Sequence, residues 1–172
     1  QYPVTKAYEM MSFYEGLLAY YEVTGEKKYL KAVTNFFERV AEKEITLIGS
    51  AGCTHELFDD ASLWQTEYKD NIMQETCVTV TYVRVLARLW EVTQDASYIQ
   101  RIEQSSLNGI YGAVNNHEAT EQYELFTNKI VKPYAFDSYS PLYMKGRGYG
   151  IGGYQEFDDG NYFGCCIAIG AA

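Results

Sequence analysis

The sequence has little positive charge and no long apolar segment. Its 14 Lys and Arg residues stand against 23 Asp and Glu, which gives a net charge of −9. An acidic surface repels the phosphate backbone, so nucleic acid is not expected as a partner. No run of about 18 apolar residues is present, so no membrane-spanning helix is expected either.

Cysteine is also scarce. Four cysteines in an acidic chain without regular spacing do not resemble a disulfide framework. The neighbours Cys165 and Cys166 could bridge each other only with strain. Thiols that stay reduced or bind a metal are therefore expected. The sequence does not determine the cellular compartment of the protein, although reduced thiols favour the cytoplasm.

Aromatic residues are abundant in contrast, with 17 Tyr, 8 Phe and 2 Trp. An excess of this kind lines sites that stack on sugar rings or simply fills a core, and both interpretations stay open. A length of 172 residues suits one domain with a sizeable core. Because residues 167–172 form an apolar run without a cap, the chain is expected to be a piece of a longer protein.

Four stretches have the spacing of amphipathic helices. In the first, apolar side chains recur every three or four residues, and Gly25 follows as a stop signal. The Met and aromatic stripes of these helices predict a core. The predicted helices span residues 7–24, 27–43, 75–93 and 97–113.

The other segments lack a helical period. Residues 45–48 are predicted as a short strand or as the frayed end of the second helix. Gly49 and Gly52 then open a long polar loop up to the third helix, and loops of this length are often functional. Residues 118–163 are predicted to hold loops and short strands, with 123–126 and 130–131 as candidates.

A helix–turn–helix segment recurs along the chain. Residues 21–30 parallel residues 90–99, with Glu, Val, Thr and Tyr matched in place. Recurring units of this type predict an all-α fold of stacked helical hairpins, either an open solenoid or a closed α/α toroid. Long loops between such units usually gather on one face, where binding occurs.

Thiol and carboxylate groups occur in two distant clusters, Glu75 with Cys77 and the adjacent pair Cys165 and Cys166. Zn²⁺ favours four such ligands. The start of a helix lowers the pKa of a thiol, which favours the thiolate that binds metal. A zinc–thiolate site is therefore our working hypothesis, and the alternative is a set of ordinary buried cysteines.

Glu56 is the candidate acid, because a carboxylic acid opposite a nucleophile would complete a two-residue glycosidase. The alternative is a solvated loop glutamate. His55 is interpreted as a surface or hydrogen-bonding histidine and Cys53 as a spare thiol. The aspartates of the loops are interpreted as solvated charges.

Several motifs resemble the β-L-arabinofuranosidase family, glycoside hydrolase family 127 and its relatives. The start of the chain carries AYEMM at 7–11, EGLL at 15–18 and VTG at 23–25. The motifs Glu75-Thr76-Cys77 and Cys165-Cys166 resemble the zinc motifs of that family, in the same order. The segment THELF at 54–58 is similar to its Gly-Glu-x-Phe segment.

The resemblance implies a fold and a mechanism. The fold would be part of an (α/α)6 barrel with long loops and short β segments, and residues 1–172 would be a partial catalytic domain. Cys165 would be the nucleophile that forms a glycosyl-thioether, Glu56 would act as acid and then as base, and hydrolysis would retain the anomeric configuration. The zinc ligands would be Glu75, Cys77, Cys165 and Cys166.

The sequence also departs from the family. Lys6 stands where a sugar-binding His is frequent, and Ile167 follows the cysteine pair where Pro is common. Ser140-Pro141-Leu142 is similar to an Asn-Pro-Leu segment, which makes Tyr139 a candidate sugar contact. An alternative function is a non-catalytic helical-repeat domain that binds glycans or proteins and holds a structural zinc.

Overall fold

Two helical hairpins form the framework of the protein. The computed structural model describes residues 6–54, 56–67, 72–113, 139–141, 155–156, 162–163 and 169. The elements in chain order are α1 (Ala7–Thr24), α2 (Lys27–Lys43), β1 (Gly52–Thr54), α3 (Ala61–Trp64), β2 (Ile72–Glu75), α4 (Thr76–Thr93), α5 (Ser97–Gln104), β3 (Tyr139–Pro141), β4 (Gln155–Glu156) and β5 (Tyr162–Phe163). The described elements are mostly helical, which agrees with the predicted all-α class.

The two hairpin corners have the same construction. Gly25 ends α1 in the left-handed region, and its N–H donates to Tyr21 O at 2.7 Å. Gln94 ends α4 in the same conformation, and its N–H donates to Trp90 O at 2.7 Å. The repeat predicted from the sequence is thus confirmed as a repeated helix cap.

The helices α1 and α4 run side by side in the same direction. Arg84 donates to Glu15 at 2.6 Å across a separation of 69 residues, and Arg88 donates to Glu22 at 2.6 Å. Both contacts advance along the two helices together, so the helices are parallel. Equivalent helices of successive hairpins are therefore neighbours, as expected for stacked units.

A single apolar cluster joins the two hairpins. Its buried members include Met11 and Leu18 of α1, Val33 and Phe37 of α2, Val85 and Leu89 of α4, and Tyr98 of α5. The stripes predicted for the first two helices supply the members from α1 and α2, because residues three and four apart lie on one face of a helix. The core therefore holds the hairpins as one unit.

The predicted ends of the later helices need correction. Glu75 ends β2 and does not begin the third helix, because its N–H donates to Ala51 O at 3.0 Å. The fourth predicted helix is α-helical only to Gln104 and continues as a π-helix, Ser105–Ile110, and a 3₁₀ turn, Tyr111–Ala113. Apolar spacing predicts a helix but does not distinguish these hydrogen-bond patterns.

Residues 45–48 are neither a strand nor a frayed helix. The chain turns there, with Thr46 N–H donating to Ser50 O at 2.8 Å and an isolated bridge between Ile45 and Ala51. Gly49 has a φ of 85°, and a side chain on it would meet the backbone of Ser105 at 2.8 Å. The turn thus packs directly on the π-helix.

The long segment between α2 and α4 is not a structureless loop. It contains β1, α3 and β2, and β1 pairs with β2 in antiparallel register from Gly52–Gln74 to Thr54–Ile72. β3 adds to the other edge of β2, and β4 pairs with β5. The strand candidates at 123–126 and 130–131 lie outside the described residues, as does His55.

None of the helices in the described ranges is long and apolar enough to cross a lipid bilayer.

Candidate functional site

The junction of β2 and α4 carries two of the predicted metal ligands. Glu75 is the last residue of β2 and Cys77 lies in the first turn of α4, and both side chains are buried. Glu75 is held through its backbone, because its carbonyl oxygen accepts from Thr79 Oγ1 at 3.1 Å. The dipole of α4 favours negative charge at this end of the helix.

Tyr139 is next to this junction. Strand β3 pairs with β2 so that Tyr139 is the register partner of Glu75. Only the backbone of Tyr139 is described, so its predicted sugar contact remains a prediction. The fold nevertheless brings its Cα beside that of a candidate ligand from a distant part of the sequence.

Glu56 lies against the start of α1. Its backbone oxygen accepts the N–H of Ala7 at 2.7 Å, and its neighbour Leu57 forms a β-bridge with Lys6. Glu56 has a φ of 66°, a conformation that costs a non-glycine residue about 1–3 kcal/mol and is frequent at functional sites. Its carboxylate is about a quarter exposed and pairs with the Lys6 ammonium.

Lys6 is the ion-pair partner of Glu56. Its hydrogen bond to Glu56 and the charge of Glu56 raise the pKa of Lys6, and the charges of Glu9 and Glu75 add to the effect. Glu56 is thus the main partner of this ammonium group. The sequence marked Lys6 only as a departure from a family pattern, because its partner is far along the chain.

Glu44 supports the backbone that follows Glu56. Its buried carboxylate accepts the N–H groups of Asp59, Asp60 and Ala61 at 3.1, 3.3 and 3.4 Å. Burial raises the pKa of Glu44, and these three donors partly oppose that rise. Glu44 was not predicted as a site residue, since the burial of a charge at a helix end depends on tertiary structure.

The described residues include two of the four predicted zinc ligands. Glu75 and Cys77 provide a carboxylate and a thiol, two donor types that Zn²⁺ accepts. Cys165 and Cys166 lie outside the described residues, as does the side chain of Cys53. Within the part of the chain that the structure describes, no group of three or more His, Cys, Asp or Glu is arranged to bind a metal.

A polar cavity of about 300 Å³ lies elsewhere, between α2 and α5. Arg101 crosses it and donates to both carboxylate oxygens of Glu38, at 2.7 and 2.8 Å. Tyr82 also lines it, and burial raises the pKa of Tyr82 to about 12. Glu56, Glu75 and Cys77 do not line this cavity, so it is separate from the predicted site.

The chain matches a protein-family model described as beta-L-arabinofuranosidase, GH127 catalytic domain, over residues 1–138. It belongs to this family. The resemblance inferred from the motifs is thereby confirmed, and GH127 membership indicates a glycoside hydrolase that acts on carbohydrate. No curated protein matches the chain.

The matched segment of this GH127 chain includes Glu56, Glu75 and Cys77, and it ends one residue before Tyr139. The structure pairs Glu56 with Lys6 and places Tyr139 on the strand beside Glu75. The roles of these residues, and of the cysteine pair, remain predictions.

Proposed function

We propose that this protein is a retaining glycoside hydrolase of the β-L-arabinofuranosidase type. Cys165 is the nucleophile in this proposal and Glu56 is the acid and base. Zinc is held by the carboxylate of Glu75 and the thiolates of Cys77, Cys165 and Cys166. Tyr139 contacts the sugar.

The observation that supports this proposal most directly is the placement of Glu56, which pairs with Lys6 at the start of α1 and lies in the segment that β2 closes with Glu75. The two carboxylates come from separate elements, one from the segment after β1 and one from the end of β2. A glycosidase needs an acid close to its nucleophile, at a separation of about 5 Å for a retaining enzyme. A candidate acid in the same β1–β2 segment as a candidate ligand of the nucleophile's metal is consistent with this requirement.

The bound metal would lower the pKa of the nucleophilic thiol, so that sulfur replaces the usual carboxylate. The burial of Glu75 and Cys77 at the start of α4 supports their assignment as ligands, because buried thiolates and carboxylates are stabilised by a cation or a helix N-terminus.

The proposed reaction has two steps. In the first, the Cys165 sulfur bonds to the anomeric carbon while Glu56 gives its proton to the glycosidic oxygen, and the carbon–oxygen bond breaks. In the second, Glu56 removes a proton from water, the water oxygen bonds to the anomeric carbon, and the carbon–sulfur bond breaks. Each step inverts the carbon, so the product retains the original configuration.

The test compares variants of the full-length protein on an aryl β-L-arabinofuranoside, with zinc measured by elemental analysis. Glu56→Gln is expected to lower kcat by about 100- to 10,000-fold at unchanged zinc content, since it removes acid–base catalysis. Cys165→Ala is expected to abolish turnover. Cys77→Ala is expected to lose zinc as well as activity.

Cys53→Ser is the matched control, because Cys53 has no role in the proposal and should keep both zinc and activity. Full activity of both Glu56→Gln and Cys165→Ala would refute the mechanism. A zinc-containing protein that binds glycans but never hydrolyses them would support the non-catalytic alternative instead.

A further inference from the structure

Lys6 is the residue in this region to which sequence reasoning gave no role. We propose that Lys6 is a positioning residue that orients the Glu56 carboxyl group for its acid–base role toward the leaving group and the attacking water. This inference rests on the proposed function, because it assigns Lys6 through the acid–base role of Glu56.

The backbone around Glu56 is held from the start of α1. Lys6 has an extended conformation immediately before the helix, with φ −62° and ψ 137°. Ala7 N–H donates to Glu56 O, and Lys6 bridges to Leu57. The base of the Lys6 side chain is therefore attached to a rigid element, and its ammonium reaches a carboxylate whose own backbone is fixed by the same helix.

The ion pair is poorly suited to a purely stabilising role. The Lys6 side chain is 55% exposed, and exposed ion pairs contribute little to folding. The backbone contact through Ala7 already joins the segment to α1. What the ammonium adds is the orientation of the Glu56 side chain.

The surrounding charges explain why a cation is placed there. Glu9 and Glu75 also act on Lys6 and raise its pKa further. These negative charges favour the charged ammonium, which therefore stays available to hold the Glu56 side chain.

Position matters for the reaction because an acid must come within about 2.6–3.2 Å of the oxygen that it protonates. A misplacement of about 1 Å can cost about 100-fold in rate. Replacing Lys6 should therefore lower kcat with little change in KM. The decrease in kcat should be larger for a leaving group that must be protonated to depart.

The experiment uses the full-length enzyme and two β-L-arabinofuranosides, one with a p-nitrophenyl and one with a methyl leaving group. We expect Lys6→Met to lower kcat on the methyl glycoside by about 10- to 100-fold. The p-nitrophenyl glycoside should lose much less, because its leaving group departs without full protonation. Lys6→Arg should restore most of the activity on the methyl glycoside.

Lys28→Met is the matched control. Lys28 also forms an ion pair at the start of a helix, with Glu26 at 2.5 Å, and it is similarly exposed. This variant should behave as wild type on both substrates. Lys6→Gln is the second neutral variant, and it should reproduce the result of Lys6→Met.

The outcomes separate the two proposals. An active wild type whose neutral Lys6 variants lose the same factor on both glycosides, or lose nothing, would overturn the role of Lys6 and leave the proposed function standing. A wild type with no activity on either glycoside would overturn the proposed function, and the role of Lys6 with it.

Discussion

Among single residues, Glu44 shows how a buried carboxylate can organise a segment of backbone. It ends α2 and accepts three consecutive N–H groups from residues 59–61, which follow Glu56 by a few positions. Asp60 has a φ of 55°, a second left-handed residue close to Glu56. These left-handed conformations raise the free energy of the local backbone, and the hydrogen bonds to Glu44 help to stabilise it.

Replacing Glu44 by Ala should leave those N–H groups without their acceptor. We expect Glu44→Ala to lower the free energy of unfolding by about 1–3 kcal/mol at pH 7. Burial raises the pKa of Glu44 above its ordinary value of 4.5. The stability it contributes is therefore fully present below pH 4.5 and is lost as the pH rises.

The loss in Glu44→Ala should consequently be larger at pH 4 than at pH 7 when both are measured by urea denaturation. Glu42→Ala is the control, because Glu42 is exposed and pairs only loosely with Arg39, at 3.6 Å. It should change stability by less than about 0.5 kcal/mol. A greater loss at pH 7 than at pH 4 would contradict the interpretation of Glu44.

Between elements, the turn after α2 packs against the π-helix. Gly49 lies against the backbone of Ser105, and Gly109 lies against the Cα of Ser50. Gln104 adds a hydrogen bond from its side chain to Leu47 O at 2.6 Å. A glycine on each side, Gly49 in the turn and Gly109 in the π-helix, thus lets the backbones of the two hairpins approach closely.

A substitution at Gly49 should therefore be severe. Gly49→Ala combines a φ of 85° with a Cβ that would lie 2.8 Å from Ser105 Cα, and we expect a loss of about 2–5 kcal/mol in the free energy of unfolding. Gly16→Ala is the control within α1, where an added Cβ meets nothing within 4 Å.

Gly16→Ala should stabilise the protein by about 0.5–1 kcal/mol, because alanine is favoured over glycine in a helix interior. Chemical denaturation of both variants measures the difference. If both variants changed the free energy of unfolding equally, the contact between Gly49 and Ser105 would not limit how closely the turn packs on the π-helix.

The elements that sequence reasoning located correctly are those with local signals. The helices α1 and α2 were predicted to the residue, because apolar spacing and a following Gly25 are contained within each segment. Strands β1 and β2 were missed, and β3 lies in a region predicted to hold short strands although its position was not predicted. The pairing of Glu75 with Tyr139 joins distant parts of the chain.

The residues of the candidate site also fall into those with a local sequence signal and those whose role depends on the fold. Glu56, Glu75 and Cys77 were selected from short motifs, whereas the contributions of Lys6 and Glu44 depend on partners that only the fold brings near. The pairing of Cys165 and Cys166 with the other ligands stays a prediction.

At the scale of the whole molecule, one apolar core spans both hairpins. Phe37 of α2 packs near Tyr82 of α4, with ring centroids 6.2 Å apart. The same cluster extends to Tyr98 of α5. Because the core is continuous, the hairpins should unfold together and not as independent repeats.

Truncation of one core side chain should then weaken both hairpins. We expect Phe37→Ala to lower the free energy of unfolding by about 3–5 kcal/mol. Native-state hydrogen exchange should show the same loss of protection in α1 and in α5. Val23→Ala is the control, because Val23 is 86% exposed and should change stability little. A loss of protection confined to α1 and α2 would indicate independent hairpins.

The hydrogen bond from Glu75 N–H to Ala51 O closes the base of the segment that carries β1, α3 and Glu56. Both ends of that segment are thus pinned to the helical framework a few ångströms apart. Closing a longer loop costs little extra entropy, so we expect this segment to accept added residues at small cost to the stability of the hairpins.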